Sequence, residues 1–149
     1  MNYKIGIDLG GTIASKANLN GTIKFILKEG CRDFLDRAKK DGNKLFLISK
    51  CSPKIAKKSL EWLENEKLIS YFDGIYFEEN IQDKIKRILA LNLDFFIDDR
   101  PQLLIEIKKK NQKINLLLLN ESSKIKNYKG VYTKISSWNE ITDFINGNI

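Results

Sequence analysis

The chain has 149 residues, 42% of them apolar, with 26 basic against 19 acidic side chains, a formal net charge of +7 and no histidine. That length suits one globular domain, residues 1–149, with a real core, and is too short for two large lobes. The missing histidine excludes a Ser–His or Cys–His nucleophile pair and histidine-ligated metal, which leaves carboxylates, lysines, hydroxyls or a hard metal ion to carry any chemistry.

The first element is KIGIDLGGT, residues 4–12. Ile5 and Ile7 read as a buried strand that stops at Asp8. Gly10 and Gly11 free the backbone to turn sharply and approach a ligand, with Gly10 the candidate for positive φ. Residues 13–29 form an excursion in which Asn20-Gly21 signals a hairpin turn between β-prone stretches. A helix over 33–41 buries Phe34, Leu35 and Ala38 and stops at Gly42. KLFLIS, residues 44–49, is a second buried strand. Ser52-Pro53 then opens a helix whose inner face is Ala56, Leu60 and Leu63. A short strand at 74–77 and a helix carrying Ile81, Ile85, Ile88 and Leu89 lead to LDFFI, residues 93–97, a strand that ends in Asp98-Asp99. Pro101 restarts a helix with Leu103, Leu104 and Ile107 inward. The lysine cluster of Lys108, Lys109, Lys110 and Lys113 falls at its end, where cations suit the helix dipole. An apolar strand at 114–119, a short one at 131–133 and a helix opened by the capping box Ser137 to Glu140 complete the chain, with Trp138, Ile141, Phe144 and Ile145 inward.

Cys31 and Cys51 make no disulfide framework and lack the neighbours of a zinc site, so a reducing cytoplasm is the expected setting. The first strand begins without a charged and apolar leader, and no apolar run approaches a membrane span, which reads as a soluble, untargeted protein without a membrane partner. Lysine makes up 22 of the 26 basic residues, spread over several segments beside 21 isoleucines and 14 asparagines. That pattern is a bias of the whole chain, and the charge supports an anionic substrate more safely than a nucleic-acid footprint.

Strands alternate with helices throughout, which predicts a three-layer α/β domain with a mostly parallel, Rossmann-like sheet and helices on both faces. Asp8, Ser49 and Asp98-Asp99 each follow an apolar strand directly. A parallel sheet gathers them on one edge, where open α/β sheets bind ligands. Carboxylates crowded there repel one another unless a cation sits between them, and oxygen ligands of this kind suit Mg2+. Ser49, the amides near Gly10 and the helix start at Ser52 supply donors for a phosphate.

These residues resemble the motifs of the haloacid dehalogenase (HAD) superfamily of mostly magnesium-dependent phosphohydrolases. Asp8 to Thr12 is similar to its DxDGT motif, Ser49 to its second motif, Lys84 to its third and FFIDDRP to its fourth. Lys50, Lys54 and Lys57 compete with Lys84. FIDDRP and the closing SWNEITDFI resemble the nucleotidase-like branch. The resemblance implies Asp8 as the nucleophile that becomes an aspartyl-phosphate, with Ser49 on the phosphoryl oxygens and Lys84 balancing the charge. It implies Mg2+ on Asp8, Asp98, Asp99 and the Gly10 carbonyl, and substrate contacts from Gly10, Gly11, Thr12, Ser49 and Lys50, with Arg100 a weaker candidate. Residues 13–29 are then a hairpin flap in place of a full cap, leaving an open site suited to large substrates or a covering partner.

One position departs from that pattern. The family's second motif aspartate, which protonates the leaving group and activates water, is here Gly10, and such assistance is worth roughly 100- to 10,000-fold in rate. The expected activity is therefore a magnesium-dependent phosphohydrolase of reduced or unusual turnover, acting on a phosphorylated small molecule or macromolecule. The alternatives are a catalytically impaired HAD fold that binds a phospholigand or partner, and a nucleic-acid end phosphatase. GIDLGGT also resembles the phosphate-binding opening of actin- and hexokinase-type sugar kinases, but that fold needs a second lobe this chain lacks the length for.

Overall fold

The computed structural model describes residues 2–147. Strand β1 (Lys4–Ile7) leads through a glycine loop into the hairpin β2 (Ala14–Leu19) and β3 (Thr22–Leu27). There follow α1 (Cys31–Lys40), β4 (Lys44–Lys50), α2 (Pro53–Asn65), a 3-10 turn at Ile69–Tyr71, β5 (Gly74–Glu78) and α3 (Ile81–Ala90). Then come β6 (Phe95–Asp98), α4 (Pro101–Lys110), β7 (Asn115–Leu119), β8 (Thr133–Ile135) and α5 (Trp138–Ile145). The main sheet has six strands in the order β5-β4-β1-β6-β7-β8, with every pairing parallel. β2 and β3 pair antiparallel, apart from it. Among the described residues no helix is long and apolar enough to cross a membrane.

Alternation along the strands builds a core on each face. Ile5, Ile7, Leu45, Leu47 and Ile97 turn to the side covered by α1 and α5. Phe46, Ile48, Phe96 and Leu118 turn to the side covered by α3 and α4. Gly6 belongs to that second side, where a Cβ would come within 2.5 Å of Leu93 Cδ1 and 2.9 Å of Phe96 Cδ1. The central strand is therefore bare there so that its neighbours' side chains can close over it. Register fixes the functional edge: Ile7 lies opposite both Leu47 and Ile97, so the next residues, Asp8 and Asp98, emerge side by side.

The hairpin turn is at Asn20 and Gly21, both at positive φ (53° and 80°), the conformation this dipeptide favours in two-residue hairpins. Other boundaries differ from the sequence expectation for local reasons. Helix α1 starts at the buried Cys31 rather than residue 33, entered through a left-handed Gly30. The inner face of α2 uses Ile55, Ser59, Trp62 and Leu63, while Leu60 is 40% exposed. Ser59 hides that stripe from the sequence because its buried hydroxyl donates to the Ile55 carbonyl (2.7 Å), a bond that makes a polar residue compatible with burial. Strand β6 includes Asp98, and β8 lies two residues later than expected.

Candidate active site

Lys84 organises the edge. It lies on the inner face of α3 beside Ile85 and Ile88, and is fully buried. The helix is started by Asn80, whose side-chain oxygen accepts from the Asp83 N–H (2.9 Å). The Lys84 ammonium donates to Asp8 Oδ1 (2.9 Å) and Asp98 Oδ2 (3.0 Å). A lysine at this depth is expected to be paired, and the two carboxylates do that here. Lys50, Lys54 and Lys57 are all exposed.

The remaining donors and acceptors around the carboxylates are unequal. Asp98 Oδ1 accepts from the Asp99 N–H (2.7 Å) and the Arg100 N–H (3.1 Å), with the Arg100 guanidinium 3.7 Å away. Both Asp98 oxygens are thus taken by protein donors. Asp8 Oδ2 accepts from the Thr12 hydroxyl (3.3 Å), and Thr12 is fully buried, so that hydroxyl serves the carboxylate rather than facing solvent. Asp99 Oδ1 is buried without a partner. An oxygen in that state is costly unless something absent from the protein satisfies it.

Asp8, Asp98 and Asp99 each offer an oxygen within 4.8 Å of the others, against one buried lysine. Burial first, and then the Asp98 charge, push the Asp8 carboxyl up to about 7 despite Lys84. Burial and Asp98 also raise Asp99. A divalent cation removes this penalty, and hard carboxylate oxygens select a hard ion such as Mg2+. The orphaned Asp99 oxygen fits that donor set.

The glycine loop is shaped around the same carboxylate. Gly11, not Gly10, has positive φ (83°), and a Cβ there would lie 2.1 Å from Asp99 Oδ2. Gly10 is half-buried, and a Cβ on it would meet Lys16 Cε at 2.4 Å and Nζ at 2.9 Å. The loop is tied to the hairpin by the Gly11 N–H to the Ala14 carbonyl (2.8 Å) and the Ala14 N–H to the Leu9 carbonyl (3.1 Å). Lys28, at the other foot, donates to the Gly11 carbonyl (2.6 Å). From beneath, the buried Trp138 donates its indole N–H to the Thr12 carbonyl (3.0 Å) and packs on Phe34.

Ser49 is buried at the end of β4, beside β1, and Lys50 is exposed one residue on. The structure therefore brings Asp8, Gly10, Gly11, Thr12, Ser49, Lys84, Asp98 and Asp99 to one edge of the sheet, with Lys50 on its rim. A cavity of about 750 Å³ opens beside Gly11 and Asp99, lined with polar groups that include Ser15, Lys28, Asn120 and Asn139. Two residues beside the carboxylates or the glycine loop were not singled out by sequence reasoning. Cys51 lies within electrostatic reach of Lys16, Asp8 and Lys84, with burial raising its thiol. Lys16 is the other.

No protein-family model matches the chain, and no curated protein matches it in sequence. Solved structures do. A HAD-superfamily hydrolase from Ehrlichia chaffeensis matches with a TM-score of 0.70 over 99% of this chain and 98% of its own, at 12% identity. The fold is HAD-like. A second match is the 3-deoxy-D-manno-octulosonate 8-phosphate phosphatase of Moraxella catarrhalis, in complex with magnesium, phosphate and a KDO molecule. It has a TM-score of 0.61 and 14% identity, over 97% of this chain and 85% of its own. A chain of the Pnkp1/Rnl/Hen1 RNA repair complex matches with a TM-score of 0.62 and 19% identity, over 82% of this chain and 44% of its own. At these identities the likeness extends to the architecture alone.

Proposed function

We propose that this chain is a magnesium-dependent phosphohydrolase of HAD type, with Asp8 as its nucleophile. The observation that carries the reading is the buried Lys84 bonded to both Asp8 and Asp98 while an oxygen of Asp99 lies buried and unpartnered. A merely structural cluster gains nothing from an orphaned carboxylate oxygen, whereas a cation site needs one. Asp8, Asp99 and the Gly10 carbonyl would hold magnesium, with Asp98 beside them holding Lys84 in place. The ion, when bound, supplies positive charge for phosphoryl oxygens.

The chain's own residues do the rest. An Asp8 oxygen forms a bond to phosphorus as the leaving oxygen departs with its electron pair, and water then displaces the phosphoryl group and restores the carboxylate. Lys84 favours the ionised form of Asp8 and orients it for attack, and its charge opposes the negative charge that develops. Ser49 donates to a phosphoryl oxygen. The exposed hairpin of β2 and β3 acts as a flap over a single-domain, open site, and the substrate is a phosphorylated small molecule or macromolecule met in the cytoplasm.

Thermal melting tests this directly. Magnesium should raise the melting temperature by mass action, and beryllofluoride, a phosphoryl mimic, should raise it further only when magnesium is present. Asp8→Asn should abolish the beryllofluoride increment. Melting indifferent to both additions in the unmodified chain would overturn the reading.

A further inference from the structure

Lys16 occupies the space that a side chain at position 10 would fill. Its placement follows from the hairpin. Ala14 and Lys16 share a face of β2 with their partners Leu27 and Phe25 on β3. Phe25 is buried, its ring 5.5 Å from that of Trp62, so this face is pressed toward the body of the protein. The hairpin's foot is hydrogen-bonded to the loop that follows Asp8, which fixes Lys16 relative to Gly10. Lys16 is exposed, and among the described residues no carboxylate forms a salt bridge with it. The site thus has a free ammonium where a carboxyl group would otherwise stand next to the departing oxygen.

The two groups do different chemistry. A carboxylic acid there hands a proton to an alkoxide leaving group and, once ionised, takes one from water. An ammonium has three donors and no acceptor. It serves an oxygen that leaves as an anion and stays one, by hydrogen bond and opposite charge.

We infer that the site acts on phosphoryl donors whose leaving group departs as a stable anion, acyl phosphates and phosphoric anhydrides, with Lys16 receiving the departing oxygen; this rests on the phosphohydrolase reading above. In the first step the Asp8 oxygen bonds to phosphorus and the bond from phosphorus to the leaving oxygen breaks. The electron pair leaves on a carboxylate or phosphate, which needs no proton. In the second step water bonds to phosphorus, the bond to Asp8 breaks, and both protons of the water stay with the released phosphate. Simple alkyl phosphates are disfavoured because their alkoxide has no proton source in the site.

The test compares acetyl phosphate, inorganic pyrophosphate and glycerol phosphate with magnesium, in the unmodified chain, Lys16→Met and Lys16→Arg. The unmodified chain should turn over one or both anionic-leaving-group donors at least about 100-fold faster than glycerol phosphate; which of the two is preferred separates acyl phosphate from anhydride. Lys16→Met should lower kcat on the preferred donor by about 10- to 100-fold with KM changed much less, and melt like the unmodified chain. Lys16→Arg should retain most of the rate. Glycerol phosphate turned over within tenfold of the others overturns the inference and leaves the phosphohydrolase reading standing. So does a Lys16→Met effect confined to KM, which would make the lysine a substrate-binding group. Absence of turnover on all three also overturns it, and the phosphohydrolase reading falls as well only if magnesium-dependent beryllofluoride binding is absent too.

Discussion

On one side of Asp8, Lys84, Asp98 and Thr12 are buried, with Lys84 donating to both Asp8 and Asp98 and the Thr12 hydroxyl donating to Asp8. On the other, Gly10 leaves a space reached by the exposed Lys16. The first side is built from the ends of β1 and β6 and the inner face of α3, so packing fixes its geometry. The second hangs on a hairpin outside the main sheet. Under the proposed function, groups that would hold a metal and phosphoryl oxygens must be placed closely, whereas the group that would meet the leaving oxygen can change with the substrate. The contrast predicts that substitutions on the buried side damage stability and binding together, while those on the hairpin side change which substrate is used.

The largest effect should come from Lys84→Met. It leaves Asp8 and Asp98 buried without their counter-charge, and removing one partner of a buried pair typically costs about 3–5 kcal/mol. Urea unfolding without magnesium should show a loss of that order. A loss below about 1 kcal/mol would mean that the cluster is more hydrated than its burial indicates.

Next is Gly10→Asp. From sequence, the introduced carboxylate should restore proton donation and raise turnover of glycerol phosphate. The structure adds that Lys16 would lie against it, and a neighbouring ammonium holds a carboxyl in its ionised form. Gly10→Asp alone should therefore gain little, and Gly10→Asp with Lys16→Met should gain about 100-fold or more. Backbone strain does not stand in the way, because Gly10 lacks positive φ and the obstructing atoms are the flexible end of Lys16. Equal gains from the single and double variants would remove Lys16 from the leaving-group side.

Gly11→Ala should be milder in stability and specific in consequence. Its φ of 83° favours glycine, and an alanine there costs about 1–2 kcal/mol. The new methyl also displaces the Asp99 carboxylate, so the magnesium-induced rise in melting temperature should shrink or vanish. A full magnesium response would argue against Asp99 as a ligand.

The buried side was largely legible in the sequence and the hairpin side was not. Asp8, Ser49 and the Asp98-Asp99 pair each end an apolar strand, and a parallel sheet brings such ends to one edge wherever they fall in the chain. Lys84 could be named as a candidate but not separated from Lys50, Lys54 and Lys57. The distinguishing signal is its helical phase: it shares the apolar stripe of Ile85 and Ile88, where a lysine must be paired or excluded. Lys16 gave no comparable signal. It sits in a short strand of mixed polarity whose facing depends on how Phe25 and Trp62 pack, a tertiary matter. The same limit misplaced the inner face of α2, where Ser59 rather than Leu60 is buried, and assigned positive φ to Gly10 instead of Gly11.

The smallest effect lies far from the site and serves as a control. Burial pushes the Asp73 carboxyl up, but the Leu45 N–H and the Lys39 ammonium outweigh it and hold it below its ordinary value. A depressed folded-state pKa stabilises above the unfolded value and is lost as pH falls through the folded one. Asp73→Asn should therefore cost a small amount near neutral pH, under about 1 kcal/mol for so exposed a pair, and nothing in strong acid. Magnesium response and substrate preference should be unchanged.

The measurement that bears most directly on the account is mass analysis of the acid-quenched protein after mixing with acetyl phosphate. With magnesium present, the peptide containing Asp8 should carry the added mass of one phosphoryl group, and the label should disappear with a chelator or in Asp8→Asn. Product release with no label on Asp8, or a label on another residue that persists in Asp8→Asn, would contradict Asp8 as the group that accepts the phosphoryl.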